Sequence, residues 1–280
     1  MLQYRFICEA SLKDLQSAIC NYEILRWILA NHILYGTCGR VDMVNFDNIN
    51  LKDFKIENIP NSGFYIRDFI SEKEEQELLN KVYSAPKPKW VTLKNRRLQN
   101  WGGKPTERGM ITEPLPSWLK DSIFSKLSQL KIFNDCSKFK LPNHCLINEY
   151  ESGQGIMPHE DGPFYYPTVA TVSLNSYTIL DLYKRRIEEN FNTEQNETNL
   201  MPEFSLLLEP RSLLVLQDDL YKTYLHGIEE RKSDNLGQKN IMNLSDDMDR
   251  HTDLERDTRV SLTYRVVEKV IKVEIFKKNT

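Results

Sequence analysis

In Met157-Pro158-His159-Glu160-Asp161, an imidazole and a carboxylate stand two residues apart. In extended backbone, residues i and i+2 point to the same side, so both groups can meet one metal ion. The spacing alone is common, and the chain repeats it at His251-Thr252-Asp253. Chain order separates the two. A facial set of two histidines and one carboxylate, with the remaining metal positions open, needs a second histidine. His226, in Tyr224-Leu225-His226-Gly227-Ile228, follows Asp161, whereas no histidine follows Asp253. His251 also lies in a run dense in Asp, Arg and Glu, whose plain reading is a solvated loop. His32 sits among apolar residues, and His144 opens a strand-like run beside Cys145; both read as structural histidines.

A second group lies near the C-terminal end. In Arg259-Val260-Ser261-Leu262-Thr263-Tyr264-Arg265, polar and apolar residues alternate. A strand here puts Arg259, Ser261, Thr263 and Arg265 on one face. Such a strand could be half-exposed, with both arginines in water. If instead it lines a barrel, two enclosed guanidinium groups need anionic partners, and a small dicarboxylic acid offers one carboxylate to each. Asn148 and Tyr150 obey the same two-residue rule on another strand, eleven and nine residues before His159. Their amide and hydroxyl could bond the same acid.

The elements that must position these residues follow from periodicity. Residues 63–70 read as a strand, and Ser71 with Glu74 forms a capping box that opens a helix to about Ser84, ended by Pro86 and Pro88. A second amphipathic helix is expected from Ser117 to about Leu130. The period then changes to two, giving strands at 144–150, 168–175, 178–183, 204–209, 212–217 and 258–267. Two polar segments, about 184–203 and 231–257, read as exposed insertions. Helices first and short strands afterwards predict a mainly β (α+β) fold, a β-sandwich or jelly roll buttressed by helices. Residues 1–50 read as an extension, with helical spacing at Leu12, Leu15 and Ile19 and again at Ile24, Leu25 and Ile28.

With 280 residues, 40% hydrophobic and 28% charged, the chain has the composition of one sizeable folded domain with appendages. A net charge of −3 gives no global attraction to nucleic acid, so such a partner must be met by a local basic patch. Five scattered cysteines without a CxxC pair suit neither a disulfide framework nor a zinc ribbon, and fit the cytoplasm or nucleus. Glu23, Arg26, Asn31 and His32 interrupt the apolar stretch 19–36, so no membrane span is expected. Nothing in the sequence specifies an oligomeric state.

The pieces fall in a familiar order: Asn148-Glu149-Tyr150, then Gly153-x-Gly155-x-Met157-Pro158-His159-Glu160-Asp161, a single later pairing histidine, then Arg259-x-Ser261-x-x-x-Arg265. In order and spacing this resembles the AlkB branch of the Fe(II)/2-oxoglutarate dioxygenases. Ser84-Ala85-Pro86-Lys87-Pro88-Lys89-Trp90, the block 96–103, residues 158–169 and the block 206–216 are similar in particular to the group known as sixth AlkB homologues of animals. The resemblance covers about 51–270, interrupted by the two polar segments. It implies a double-stranded β-helix, with His159, Asp161 and His226 binding Fe(II). It further implies that Arg259 grips the distal carboxylate of 2-oxoglutarate, that Arg265 sits near the chelating end, and that Asn148 and Tyr150 add hydrogen bonds. Ser261 stands where relatives often carry Asn. The implied reaction uses O2, turns 2-oxoglutarate into succinate and CO2, and hydroxylates a substrate carbon; an N-methyl group so treated leaves as formaldehyde.

Residues 81–108 hold Lys81, Lys87, Lys89, Lys94, Arg96, Arg97, Lys104 and Arg108 against one acid, Glu107, with Trp90 and Trp101 interleaved. In the family this region forms a lid. A basic, aromatic lid suits a nucleic-acid backbone and an unstacked base, which makes Lys94, Arg96, Arg97 and Trp101 candidate substrate contacts. The plain alternative is a solvated basic surface with Trp90 and Trp101 in the core. Gly162-Pro163-Phe164-Tyr165-Tyr166 stands where nucleic-acid-repairing relatives often carry acids, which leaves a protein side chain open as substrate. A binding module with a structural or vestigial iron site is the competing class. Residues 1–50 fall outside the resemblance, and Met43 is expected to serve as the natural start.

Overall fold

The structure, a computed structural model, describes residues 49–185, 201–245 and 248–271. The expected N-terminal helices and most of the polar segment 184–203 lie outside the described residues.

After the strand β1 (Gly63–Ile66), the helix α1 (Glu72–Tyr83) begins where the capping box places it. Ser71 Oγ accepts the Glu74 N–H at 3.2 Å, and the Glu74 carboxylate accepts the Ser71 N–H at 2.8 Å. Leu78, Leu79 and Val82 form its buried stripe. The lid region folds as a hairpin, β2 (Trp90–Leu93) and β3 (Arg96–Trp101), joined by the two residues Lys94-Asn95. Beyond β4 (Met110–Ile111), the single helix expected over 117–130 is two, α2 (Ser117–Lys120) and α3 (Phe124–Gln129). Asp121 and Ser122 sit at the break, and such side chains compete with helical backbone bonds.

The remaining strands are β5 (His144–Tyr150), β6 (Ile156–His159), β7 (Tyr165–Leu174), β8 (Thr178–Lys184), β9 (Phe204–Leu208) and β10 (Leu213–Gln217). A short helix α4 (Asp218–Lys222) leads into β11 (Tyr224–Ile228), followed by β12 (Ser233–Asn235), β13 (Asp253–Glu255), β14 (Arg259–Val267) and β15 (Val270–Ile271).

Two antiparallel sheets face each other, one ordered β1-β10-β7-β14-β5-β3-β2 and the other β6-β11-β8-β9. Tyr150, Val169, Leu180, Leu182, Leu206, Leu214 and Leu216 fill the space between them. On the outside of the larger sheet, Leu78, Val82, Leu119, Ile123 and Leu127 pack on Ile147, Val172, Leu262 and Tyr264. This is a jelly roll, a double-stranded β-helix, with α1, α2 and α3 on one side. All nine residues of β14 are buried, so Arg259 and Arg265 point between the sheets rather than into water. Truncating the oppositely facing Leu262 to Ala is expected to cost roughly 2–5 kcal/mol.

The segment 231–257 is less exposed than its composition suggests. Leu236 and Ile241 pack against Ile179 and Leu207 on the outer face of the smaller sheet. Arg256 forks the Asp234 carboxylate at 2.6 and 2.8 Å with both groups buried, and its Nη1 donates to the Glu229 carbonyl at 2.8 Å. Burying that pair costs desolvation, which the bidentate geometry and the extra bond offset. A few apolar anchors among many polar residues are hard to see in a composition average. Among the described residues, no helix is long and apolar enough to cross a membrane.

Candidate metal and cosubstrate site

The antiparallel pairing of β6 with β11 sets His159 directly opposite His226. Their ring centroids are 4.4 Å apart. Asp161 lies just past the end of β6, where Gly162 takes a positive φ of 83° that lets the chain turn. Ligand atoms of His159, Asp161 and His226 all lie within 4.8 Å of one another. His159 Nδ1 is 2.9 Å from the Met157 carbonyl; a proton on Nδ1 donates there and leaves the Nε2 lone pair for a metal.

Electrostatics favour the same use. Burial pushes the His226 imidazolium down to about 4 and also lowers His159, so both rings are neutral near pH 7. Burial alone would raise Asp161, but the Arg265 guanidinium and His226 hold its carboxyl below the usual range. Two neutral imidazoles and one carboxylate form a mixed nitrogen and oxygen donor set that suits a divalent iron ion. Arg265 bonds both oxygens of Asp161, Nε to Oδ2 at 3.1 Å and Nη2 to Oδ1 more closely, and lies over the Tyr165 ring at 4.8 Å.

The triad opens on a cavity of about 240 Å³ whose other walls include Asn148, Tyr150, Arg259, Ser261, Thr263 and Arg265. Cross-strand register explains the grouping, since Arg259 faces Tyr150 and Ser261 faces Asn148 on β14 and β5. Arg259 is 4% exposed, and burial draws it down to about 10, so it remains a cation. Its Nη2 donates to Ser173 Oγ at 2.8 Å, while Nε has no partner. A buried guanidinium N–H left unpaired is costly, and a carboxylate in the cavity would satisfy it. The residues therefore fit a small dicarboxylate as well as a metal. A larger depression of about 690 Å³ lies outside the smaller sheet; its buried Asp181 is already held by Ser205 at 2.6 Å and Lys239 at 2.5 Å.

Of the expected substrate contacts, the structure brings two to the mouth. Arg96 lines the cavity and donates from Nε to Asn148 Oδ1 at 3.3 Å. Lys94 and Arg96 line an adjoining cleft of about 420 Å³ with Leu93, Met157, Pro158 and His159. Arg97 and Trp101 are not brought to that mouth: they lie on the opposite face of β3. Arg97 forks Glu149 at 2.5 and 2.9 Å and lies over Trp90 at 4.2 Å. Trp101 donates to Gln99 at 2.8 Å and packs edge-on against Trp118, with Lys89 above it. Strand alternation is the reason, because Arg96 and Leu98 face one way and Arg97, Gln99 and Trp101 the other. Tyr165 and Ser173 are site residues that spacing did not reveal, though Tyr165 lies in the aromatic run just after Asp161. Glu160, between the two ligands, pairs with Arg185 at the rim.

Comparison with known proteins gives four findings. The family model of the 2OG-Fe(II) oxygenase superfamily matches residues 64–265. The zebrafish (Danio rerio) protein named probable RNA/DNA demethylase ALKBH6 is 46% identical over 229 residues, which are 81% of this chain and 95% of that protein. Uncharacterized protein L905 of Acanthamoeba polyphaga mimivirus is 29% identical over 226 residues, 78% of this chain and 91% of the viral one. Among solved structures, that of OsALKBH1 superposes with a TM-score of 0.46 at 13% identity, covering 73% of this chain and 97% of that one.

Proposed function

The chain belongs to the 2OG-Fe(II) oxygenase superfamily, within it to the AlkB type, and from that premise we propose that its substrate is a nucleic acid, demethylated or hydroxylated oxidatively. The protein is an enzyme, an Fe(II)- and 2-oxoglutarate-dependent dioxygenase that consumes O2. In this reading His159, Asp161 and His226 hold the iron. Arg259 takes the distal carboxylate of 2-oxoglutarate, Asn148 and Tyr150 bond the same acid, and Ser261 lines its channel. The single observation that carries the reading is one cavity that joins the ligand triad to a buried guanidinium with a free N–H.

Bound iron with 2-oxoglutarate and oxygen supplies the oxidation of a substrate C–H bond. The chain's own residues prepare for it. Both imidazoles are kept neutral by burial, and Arg265 keeps Asp161 ionised and oriented.

Nucleic acid is supported by Lys94 and Arg96 at a cleft whose lining contains no acidic residue, and by the demethylase name of the zebrafish relative. The cytoplasm or nucleus is the compartment that suits such a substrate. The test is succinate and formaldehyde release from N-methylated single-stranded DNA and RNA oligonucleotides, run beside methyl-lysine peptides. Stoichiometric release of both products from an oligonucleotide is expected. Release from peptides alone would overturn the substrate and leave a protein hydroxylase.

A further inference from the structure

Arg265 bonds both oxygens of Asp161, and one of those oxygens has two claims on it. Asp161 Oδ1 receives Arg265 Nη2 and also lies 3.9 Å from His226 Nε2, which makes it the carboxylate oxygen facing the other ligands. A metal bound at Oδ1 competes with Nη2 for the oxygen's lone pairs and places a second cation beside the guanidinium. The Arg265 side chain is 6% exposed, so an N–H displaced from Oδ1 cannot turn to bulk water. It needs an acceptor inside the protein.

His144 stands directly across the β14–β5 pair from Arg265. Side chains so paired have Cβ atoms roughly 4.5–5.5 Å apart. The His144 ring lies 5.5 Å from the Tyr165 ring, the same ring that Arg265 covers. It is 0% exposed, and neither ring nitrogen has a hydrogen-bond partner. The other inward residues of β5 have evident uses: Leu146 lines the cavity, Asn148 bonds Arg96, and Tyr150 faces Arg259. An aliphatic side chain at 144 would fill its place without leaving two polar atoms bare. Burial and the neighbouring guanidinium keep the imidazole neutral, so one ring nitrogen carries an available lone pair.

We infer that His144 is the second hydrogen-bond acceptor of Arg265, taking the Nη2 proton donor when Asp161 Oδ1 turns to the metal. The guanidinium then keeps Nε on Oδ2 and loses no bond overall. His144 touches neither metal nor substrate; it is a positioning residue that acts through Arg265 on Asp161. Beside Asp161 and the Tyr165 hydroxyl, His144 adds a buried lone pair to the acceptors around Arg265, one that no other group uses.

The test uses the full chain and anaerobic Co(II) titration with neither 2-oxoglutarate nor nucleic acid present, so no cosubstrate carboxylate supplies the acceptor and the outcome is independent of the substrate reading. His144→Phe keeps the ring's bulk and removes both nitrogens. It is expected to weaken Co(II) binding about tenfold or more, the usual effect of losing a group behind a metal ligand. The metal-free variant should melt at or above the wild-type temperature. His144→Gln restores an acceptor and should recover most of the affinity. Wild-type affinity in His144→Phe, or an equal loss in both variants, would overturn the inference. Nitrogen-15 NMR of the histidine rings in the wild type, during titration with diamagnetic Zn(II), reads the same event without a variant. The unprotonated ring nitrogen of His144 should shift as it gains a donor, and an unmoved resonance would count against the role.

Discussion

His159 and His226 occupy the same register position on neighbouring antiparallel strands, with ring centroids 4.4 Å apart. Two strands of one sheet thus present both nitrogen ligands, and the ladder between them fixes their spacing. Asp161 reaches the same point from beyond the strand end, held by Arg265 from the facing sheet. The site is therefore assembled across the jelly roll, and its geometry depends on the two sheets staying packed.

The first prediction separates the two His-x-Asp pairs. Asp161→Asn should reduce metal affinity by orders of magnitude, because the anionic ligand is lost and the buried Arg265 is left without its counter-charge. Asp253→Asn, in an exposed strand of the 231–257 segment, should leave it unchanged. Calorimetric titration with Mn(II) measures both, and a matching loss in Asp253→Asn would point to the wrong pair.

Arg259 should control the cosubstrate and little else. Arg259→Gln removes a buried charge-assisted contact worth roughly 1.5–3 kcal/mol, which raises KM for 2-oxoglutarate about 10- to 100-fold. Because Ser173 keeps one side of the position polar, kcat at saturating cosubstrate should fall much less. Succinate formation across a range of 2-oxoglutarate gives both parameters. A fall in kcat with unchanged KM would mean that Arg259 serves the chemistry instead.

Much of this arrangement was legible in the sequence, and the parts that were not have physical reasons. The alternation in 258–267 gave β14 and its inward face, and the capping box of Ser71 and Glu74 gave the start of α1. The order of His159, Asp161 and His226 separated them from His251, because a facial set requires the second histidine. The hairpin β2–β3 is not legible as strands from charge and composition. Its signal is two β-prone runs joined by Lys94-Asn95, which a dense set of basic residues overlies. Strand parity then sets Arg97 and Trp101 on the face of β3 away from Arg96. His144 read as structural because one polar residue in an apolar run usually is; only the absence of partners for both nitrogens gave it another meaning.

The two faces of the hairpin should respond differently to mutation. Arg97→Ala strands Glu149, whose side chain is 4% exposed, and should destabilise the fold by about 1–2 kcal/mol, the lower part of the usual range because Arg97 itself is 40% exposed. It should leave oligonucleotide affinity intact. Lys94→Ala and Arg96→Ala should do the reverse, weakening binding and reducing its salt dependence. Urea unfolding and fluorescence anisotropy distinguish the two. Equal effects on binding from all three would return Arg97 to the substrate surface.

Acid should weaken the metal-free protein through His144. Burial lowers this imidazole from an ordinary 6.5 to about 3, so between those values the unfolded chain binds a proton that the folded chain does not. Stability contributed by the neutral ring is present above about 6.5 and is lost as pH falls toward 3, at up to about 1.4 kcal/mol per pH unit for one group. His144→Phe should flatten that slope by about one proton in metal-free unfolding measured at pH 4–6.5. An unchanged slope would mean that His144 is solvated in solution.

The most direct test of the site is an anaerobic titration of Fe(II) and 2-oxoglutarate, followed by the visible metal-to-ligand charge-transfer absorption of the chelate. The wild type should develop the band. His226→Ala should lose it through loss of metal, and Arg259→Ala should lose it at moderate 2-oxoglutarate and regain it in large excess. A folded wild-type protein that shows no band, or a band indifferent to both substitutions, would contradict the assignment of this cavity as the iron and cosubstrate site.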